Sequence, residues 1–378
     1  MKILADRNIP FVAEYFSSIG NVQTIAGRDI TAKALTEIDI LLIRSVTKVT
    51  ASLLANSNVR FIATATIGID HIDRQYLSQK NIGFASAPGS NANSVAEYIV
   101  AALLNIAQKN NITLHEKSIG VIGAGNVGSK VAQKCAALGM NVLLNDPPLR
   151  RETNDSKYLP IEKLFDCDFI TIHTPLTHQG QDKTFHLANE KFFNSLKDGC
   201  TFINTSRGAV ADTNAIKNAI TAGKLKASVL DVWENEPNID TELLEMTDIA
   251  TPHIAGYSYD GKVAGMIMIY KAACEHFNLT PKFDTVDFLP APPLPQLQIN
   301  AQPNQQQKVL LETVEKIYDI KSDDAGLRDV LKTPADERGK FFTQLRKNYP
   351  IRREFQNTTT ISSDSKLNEI LTGIGFKI

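Results

Sequence analysis

The stretch Ser118-Ile-Gly-Val-Ile-Gly123-Ala-Gly125-Asn126-Val127-Gly128 decides the fold class. It opens as an apolar run of strand type. Val127, Val131, Cys135 and Leu138 then recur at helical spacing up to Gly139, where a glycine ends a helix. Each fingerprint glycine has a task. Gly123 makes the tight turn, Gly125 lets the backbone approach a pyrophosphate, and Gly128 lets helix and strand pack closely. Unpaired N–H groups at the helix start, around Asn126 and Val127, favour phosphate charge. The next apolar run, Asn141–Asn145, leads into Asp146. That carboxylate is placed to accept from adenosine ribose hydroxyls, and its charge repels a 2′-phosphate, so NAD is expected rather than NADP. A glycine-rich turn beside a surface aspartate is the bland alternative, and the strand–turn–helix–strand order argues against it.

Outward from this unit, further strand-like runs are Ile3–Ala5, Ile38–Ile43, Val59–Ala65, Ile82–Ala85, Asp168–His173, Thr201–Asn204 and Ser228–Val232. Several are almost wholly apolar, as parallel strands covered on both faces are. Between them Val95, Tyr98, Ile99, Ala102, Leu103 and Ile106 mark a helix, with Ser94 as its expected N-cap. Alternating strands and helices imply doubly wound α/β architecture. The fingerprint begins only near residue 118, so a complete α/β unit precedes it and the cofactor domain looks inserted into another domain. Six of the 16 prolines (Pro281, Pro290, Pro292, Pro293, Pro295, Pro303) and the run Gln305–Gln307 then read as a semi-rigid linker. Beyond it Leu310, Val314, Ile317 and Tyr318 mark an amphipathic helix of a small third domain.

Composition bounds the function. The 378 residues suggest two or three domains, and 40 Lys+Arg against 41 Asp+Glu leave no general basic field for nucleic acid or membrane. Cys135, Cys167, Cys200 and Cys274 form no C-x-x-C pair, so neither a metal knuckle nor a secreted disulfide frame is expected. Asp6, Arg7 and Glu14 interrupt the N-terminal segment where a signal peptide needs an apolar run, and a cytoplasmic protein is expected.

Three later segments carry titratable residues beside Gly or Pro: Asn204-Thr-Ser206-Arg207-Gly208, Asp231-Val-Trp-Glu-Asn-Glu236-Pro237 and Thr251-Pro-His253-Ile-Ala-Gly256. Oxidation of a 2-hydroxy acid needs a cation for the carboxylate, a base for the hydroxyl proton and a carboxylate to orient that base. Arg207, His253 and Glu236 are of the right types. Singly, each has an ordinary structural explanation; as an ordered set behind a dinucleotide fingerprint they point to chemistry. Here the chain resembles the D-isomer-specific 2-hydroxyacid dehydrogenases over roughly residues 1–280. The resemblance implies catalytic roles for Arg207, Glu236 and His253, and places Asp231 near the nicotinamide, with Thr174, Ser206 and Gly256 along the cofactor. The chain departs from the common pattern at Val210-Ala-Asp212, which does not touch the triad. The resemblance also implies a flavodoxin-like substrate-binding domain (1–93 and 257–285), a Rossmann-type NAD domain (94–256) and an α+β C-terminal dimerisation domain (286–378).

Arg44-Ser45-Val-Thr-Lys48, Thr64-Ala-Thr66-Ile-Gly68-Ile-Asp70-His71 and Ala87-Pro-Gly-Ser-Asn-Ala-Asn93-Ser-Val-Ala-Glu97 are loop-like and rich in small polar donors for a carboxylate or phosphate. With Gly256-Tyr257-Ser258 and Leu345-Arg-Lys-Asn-Tyr349-Pro-Ile-Arg352-Arg353-Glu-Phe355, they are similar to one branch of the family that acts in vitamin B6 synthesis. That similarity implies a homodimer, oxidation of 4-phospho-D-erythronate to (R)-3-hydroxy-2-oxo-4-phosphooxybutanoate, and substrate contacts from Ser45, Thr66 and Tyr257. Another D-2-hydroxyacid dehydrogenase, such as one acting on 3-phosphoglycerate, and a non-enzymatic NAD sensor are the competing readings. Residues 321–378 hold 11 basic and 8 acidic side chains, too small an excess for a nucleic-acid surface. One of Arg338, Arg346, Arg352 and Arg353 is a candidate for reaching the substrate phosphate across a dimer.

Overall fold

A computed structural model describes residues 1–283, 289–300 and 305–378 of the chain. They form two compact units, Met1–Asn91 with Tyr259–Pro290, and Ala92–Ser258 with Ala291–Ile378. The first unit holds a parallel sheet of β1 (Lys2–Asp6), β2 (Asn21–Ile25), β3 (Ile40–Ile43), β4 (Phe61–Thr64) and β5 (Gly83–Ala85), in the order β2-β1-β3-β4-β5. The central β3 and β4 are buried at every residue, which is why they read as continuous apolar runs. β2 was not legible as a strand, because it lies at the sheet edge with Asn21, Gln23 and Thr24 exposed.

The second unit is built on six parallel strands: β6 (Ser118–Ile122), β7 (Asn141–Asn145), β8 (Phe169–Ile172), β9 (Cys200–Asn204), β10 (Leu225–Leu230) and β11 (Ile249–Ala250). Their order is β11-β10-β9-β8-β6-β7. Its register explains the site. Asn145 pairs with Ile122, Ile122 with Ile172, Ile172 with Asn204, Asn204 with Leu230 and Leu230 with Ala250. The carboxyl ends of all six strands therefore stand in one row, and every loop leaving that row starts level with its neighbours. The strand expected at Ser228–Val232 is displaced toward the N-terminus, because Asp231 and Val232 already belong to such a loop.

Helix Ala92–Asn110 is buried on nearly every side and packs against helix Asn126–Ala137. Ser94 lies inside this helix rather than capping it. Its hydroxyl accepts from Ser258 N–H at 3.0 Å and from Arg352 Nη2 at 3.1 Å, a tertiary use invisible in local sequence. The C-terminal residues add a short parallel pair, β12 (Gln296–Gln298) and β13 (Thr359–Ile361), with helices Gln306–Ile317, Ile320–Arg328, Arg338–Lys347 and Ser365–Ile374. Residues 284–288 and 301–304 of the proline-rich stretch, Pro303 among them, lie outside the described residues. Gln306 and Gln307 begin a helix instead of continuing a linker. Gln307 donates to Ile112 carbonyl and accepts from Leu114 N–H, both at 2.8 Å. Val309, Leu310, Val314, Leu371 and Ile374 join the core formed by the two long helices, while Leu327, Val330 and Phe342 join the core on the other sheet face. This continuity makes the C-terminal domain part of the second compact unit. Among the described residues no helix is long and apolar enough to cross a membrane.

Candidate active site

The fingerprint turn fits a dinucleotide by its steric economy. Gly123 has φ +86°, and a Cβ there would lie 2.8 Å from the His173 carbonyl. A Cβ on Gly128 would meet the Gly123 carbonyl at 1.8 Å, so any side chain would push the helix off the strand. Gly125 faces open space and precedes helix Asn126–Ala137, whose first N–H groups lack intrahelical partners. Asp146, one residue past β7, accepts from Ala124 N–H at 2.8 Å and Leu149 N–H at 3.0 Å. It thereby fixes the glycine turn, and each oxygen keeps a second lone-pair site for a ribose hydroxyl. Thr174 Oγ1 is buried without a hydrogen-bond partner, an orphan that a bound polar group would satisfy. Ser206 donates both N–H and hydroxyl to Asn204 Oδ1, at 3.0 and 2.9 Å. These donors and acceptors fit NAD.

The three titratable residues leave the same row of strand ends. Arg207 follows β9, and its Nη1 donates to the Ser206 carbonyl at 2.7 Å. A Cβ on Gly208 would come within 2.0 Å of Trp233 carbonyl, so glycine is what allows the arginine loop to lie against the next one. That next loop, after β10, carries Glu236. Its Oε1 accepts from Trp233 N–H at 2.9 Å, and its Oε2 stands 2.8 Å from His253 Nδ1. Burial opposes ionisation of Glu236, but His253, the Trp233 N–H and the Arg346 charge outweigh it and hold the carboxyl below its ordinary value. His253 Nδ1 is occupied by this contact, which leaves Nε2 for a substrate proton.

His253 itself has φ +58°, a left-handed conformation that costs a non-glycine residue roughly 1–3 kcal/mol. Asp231 supplies the compensation. Its buried carboxylate accepts from Thr251 Oγ1 at 2.6 Å, Ile254 N–H at 2.7 Å and Ala255 N–H at 2.9 Å, gripping the histidine loop on both sides of the strained residue. Asp231, expected near the nicotinamide, thus also acts as the anchor of this loop. Gly256 and Tyr257 continue it, with Tyr257 N–H donating to Ile254 carbonyl at 2.8 Å. The C-terminal domain completes the surroundings from within the same chain, whereas the sequence suggested an arginine of this domain only across a dimer. Arg352 Nη2 donates to the Ala255 carbonyl at 2.5 Å, Tyr349 meets the Tyr257 ring edge-to-face at 5.8 Å, and the Arg346 guanidinium lies 5.6 Å from the centre of that ring.

Ser45 and Thr66 belong to the first unit, each two residues past the carboxyl end of its strand, β3 or β4. Ser45 is exposed in a turn; Thr66 Oγ1 is 2.7 Å from Thr64 Oγ1 and donates to Gly68 carbonyl at 3.2 Å.

Residues 97–255 match the NAD-binding domain of the D-isomer-specific 2-hydroxyacid dehydrogenases, and residues 288–375 match a domain of unknown function. Erythronate-4-phosphate dehydrogenase of Proteus mirabilis is 40% identical over 377 residues, covering 100% of this chain and 99% of its own. The Tolumonas auensis enzyme of the same name is 42% identical, covering 100% and 99%. The chain belongs to the erythronate-4-phosphate dehydrogenase family. Both relatives match this chain over its whole length, its C-terminal domain included. D-lactate dehydrogenase of Aquifex aeolicus, complexed with NAD and lactic acid, is 27% identical with a TM-score of 0.61, and covers 96% of itself but only 74% of this chain. The NAD-dependent formate dehydrogenase of Staphylococcus aureus shares the fold at TM-score 0.60, with 74% of this chain covered and 96% of its own. The chain is an NAD-dependent member of this dehydrogenase family.

Proposed function

We propose that the protein oxidises the C2 hydroxyl of 4-phospho-D-erythronate, giving (R)-3-hydroxy-2-oxo-4-phosphooxybutanoate for pyridoxal phosphate synthesis in the cytoplasm. The observation that carries the chemistry is the Glu236–His253 contact at 2.8 Å on a loop that Asp231 clamps from both sides. NAD, when bound, supplies the hydride acceptor, held by the fingerprint turn, Asp146, Thr174, Ser206, Asp231 and Gly256. Arg207 holds the C1 carboxylate with a permanent charge. His253 Nε2 takes the C2 hydroxyl proton, and Glu236 orients the ring and stabilises the imidazolium. Ser45, Thr66 and Tyr257 bind substrate through hydroxyl groups. The protein works as a homodimer through its C-terminal domain, where Ile351, Ile361 and Ile378 are exposed large apolar side chains.

A turnover comparison of 4-phospho-D-erythronate, 3-phospho-D-glycerate and unphosphorylated D-erythronate with NAD tests the substrate. Both NADH and 2-oxo product are followed, with and without 2-oxoglutarate to take back the hydride. Preference for 4-phospho-D-erythronate is expected. Preference for 3-phosphoglycerate would keep the triad and refute the substrate.

A further inference from the structure

Of the four arginines named as candidates for the substrate phosphate, three are committed to the fold. Arg338 donates to the Thr333 carbonyl and Thr241 hydroxyl, Arg352 to Ala255 and Ser94, and Arg353 to Asn357. Arg352 Nη1 is buried without a partner, but its Nη2 is fixed by two hydrogen bonds; Arg346 differs in that, among the described residues, no hydrogen bond ties it to the fold, and its Nε is also buried without a partner. Its place follows from helix Arg338–Lys347. Gly339 packs so closely on the Glu236-Pro237-Asn238 segment that a Cβ would lie 2.3 Å from Asn238 Oδ1 and 3.4 Å from Pro237 Cγ. Phe342 is wholly buried. Arg346 is the next member of this stripe, at i+3 and i+7 spacing, on the inner face about 10 Å along the axis. An arginine therefore stands where the pattern calls for an apolar residue. Its guanidinium lies over the Tyr257 ring at 5.6 Å, and its charge helps hold Glu236 ionised. A half-buried guanidinium whose buried Nε has no acceptor presents, beside Glu236 and Tyr257, a donor that an anion would satisfy.

We infer that Arg346, reaching the site within its own chain and not across a dimer, is the specificity-determining cation that binds the substrate phosphate. Arg207 takes the C1 carboxylate at one end of the substrate; Arg346, against the Tyr257 ring, takes the dianionic end. The C-terminal domain would then select for phosphorylated substrates, a task beyond holding subunits together. This assignment deepens the proposed activity and rests on its phosphorylated substrate.

The test uses the full-length protein saturated with NAD, as wild type, Arg346→Gln and Arg346→Lys, each checked for native circular dichroism. Affinity for inorganic phosphate is measured by calorimetry, and KM and kcat are measured for 4-phospho-D-erythronate and D-erythronate. Arg346→Gln should weaken phosphate binding and raise KM for the phosphorylated substrate by about 10- to 100-fold, leaving KM for D-erythronate unchanged. Arg346→Lys should recover part of both losses. Unchanged phosphate affinity in Arg346→Gln overturns the inference. So does an equal kcat loss on both substrates at unchanged KM, which would make Arg346 an electrostatic support for Glu236. Wild-type protein that does not prefer the phosphorylated substrate refutes the substrate reading separately, whereas lost phosphate binding in Arg346→Gln still supports an anion site at this residue.

Discussion

Replacing Arg352 by methionine tests whether the C-terminal domain holds the His253 loop in place. The side chain is buried, lies 4.2 Å from the centre of the Tyr318 ring, and donates to Ala255 carbonyl and Ser94 hydroxyl. Each hydrogen bond from a charged donor contributes about 1.5–3 kcal/mol and the desolvated cation–π contact about 2 kcal/mol. Desolvation of the guanidinium offsets part of that, so a net loss of about 3–5 kcal/mol is expected, as for other one-sided disruptions of buried charge networks. Methionine fills most of the volume and leaves the Ala255 carbonyl unpaired. The loop then keeps its Asp231 grip but loses the opposing tether two residues from His253. A small misplacement of a reacting group costs roughly 10²-fold in rate, so kcat should fall by about 10- to 100-fold with NAD affinity nearly constant. Urea unfolding followed by circular dichroism gives the stability change, and initial rates of NADH formation with calorimetric NAD binding give the rest. A lowered unfolding midpoint with unchanged kcat would refute the tether.

Other outcomes follow from the same contacts. Glu236→Gln keeps the shape and removes the charge beside His253, and kcat should fall by about 10²-fold. Because the folded-state carboxyl lies below its ordinary 4.5, its contribution to stability is present above that pH and lost as pH falls through the folded value; the stability gap between wild type and Glu236→Gln should close in acid, as denaturant titrations would show. Glu97 has the opposite sign: burial and the neighbouring Glu354 raise its carboxyl well above 4.5, so the folded state retains a proton the unfolded state has lost. Stability should fall by up to about 1.4 kcal/mol per pH unit as pH rises through that window, and Glu97→Gln should flatten the slope. Thr174→Val removes an orphaned buried hydroxyl, so apo stability should hold or rise by about 1 kcal/mol while the calorimetric Kd for NAD rises about 10-fold. Weakened apo protein with unchanged NAD binding would contradict that role.

The fold was most legible where local pattern and tertiary need coincide. Ser118–Ile122 and Asn141–Asn145 appear with the expected bounds, because glycine or aspartate follows each apolar run directly. Gly139, with φ +80°, stands just past the end of its helix as expected. Edge and short strands escaped: β2 alternates no clear face, β11 is two residues long, and β12 pairs with a strand some sixty residues away, where no local periodicity reports the partner. Arg207, Glu236 and His253 stood out as an ordered set beside Gly or Pro behind the dinucleotide fingerprint, and the structure brings Glu236 and His253 to 2.8 Å. Arg346 and Arg352 were not distinguishable from solvated arginines, since what separates them is packing against loops some hundred residues upstream. Only the Gly339–Phe342–Arg346 stripe, where charge breaks an inner face, held a local hint.

The central claim is that His253 removes the C2 hydroxyl proton of 4-phospho-D-erythronate. Its most direct test compares wild type with His253→Asn at saturating NAD and substrate, with NAD affinity measured on both proteins. A kcat loss of about 10²- to 10⁴-fold with NAD binding retained is expected; turnover by His253→Asn at the wild-type rate would contradict that role.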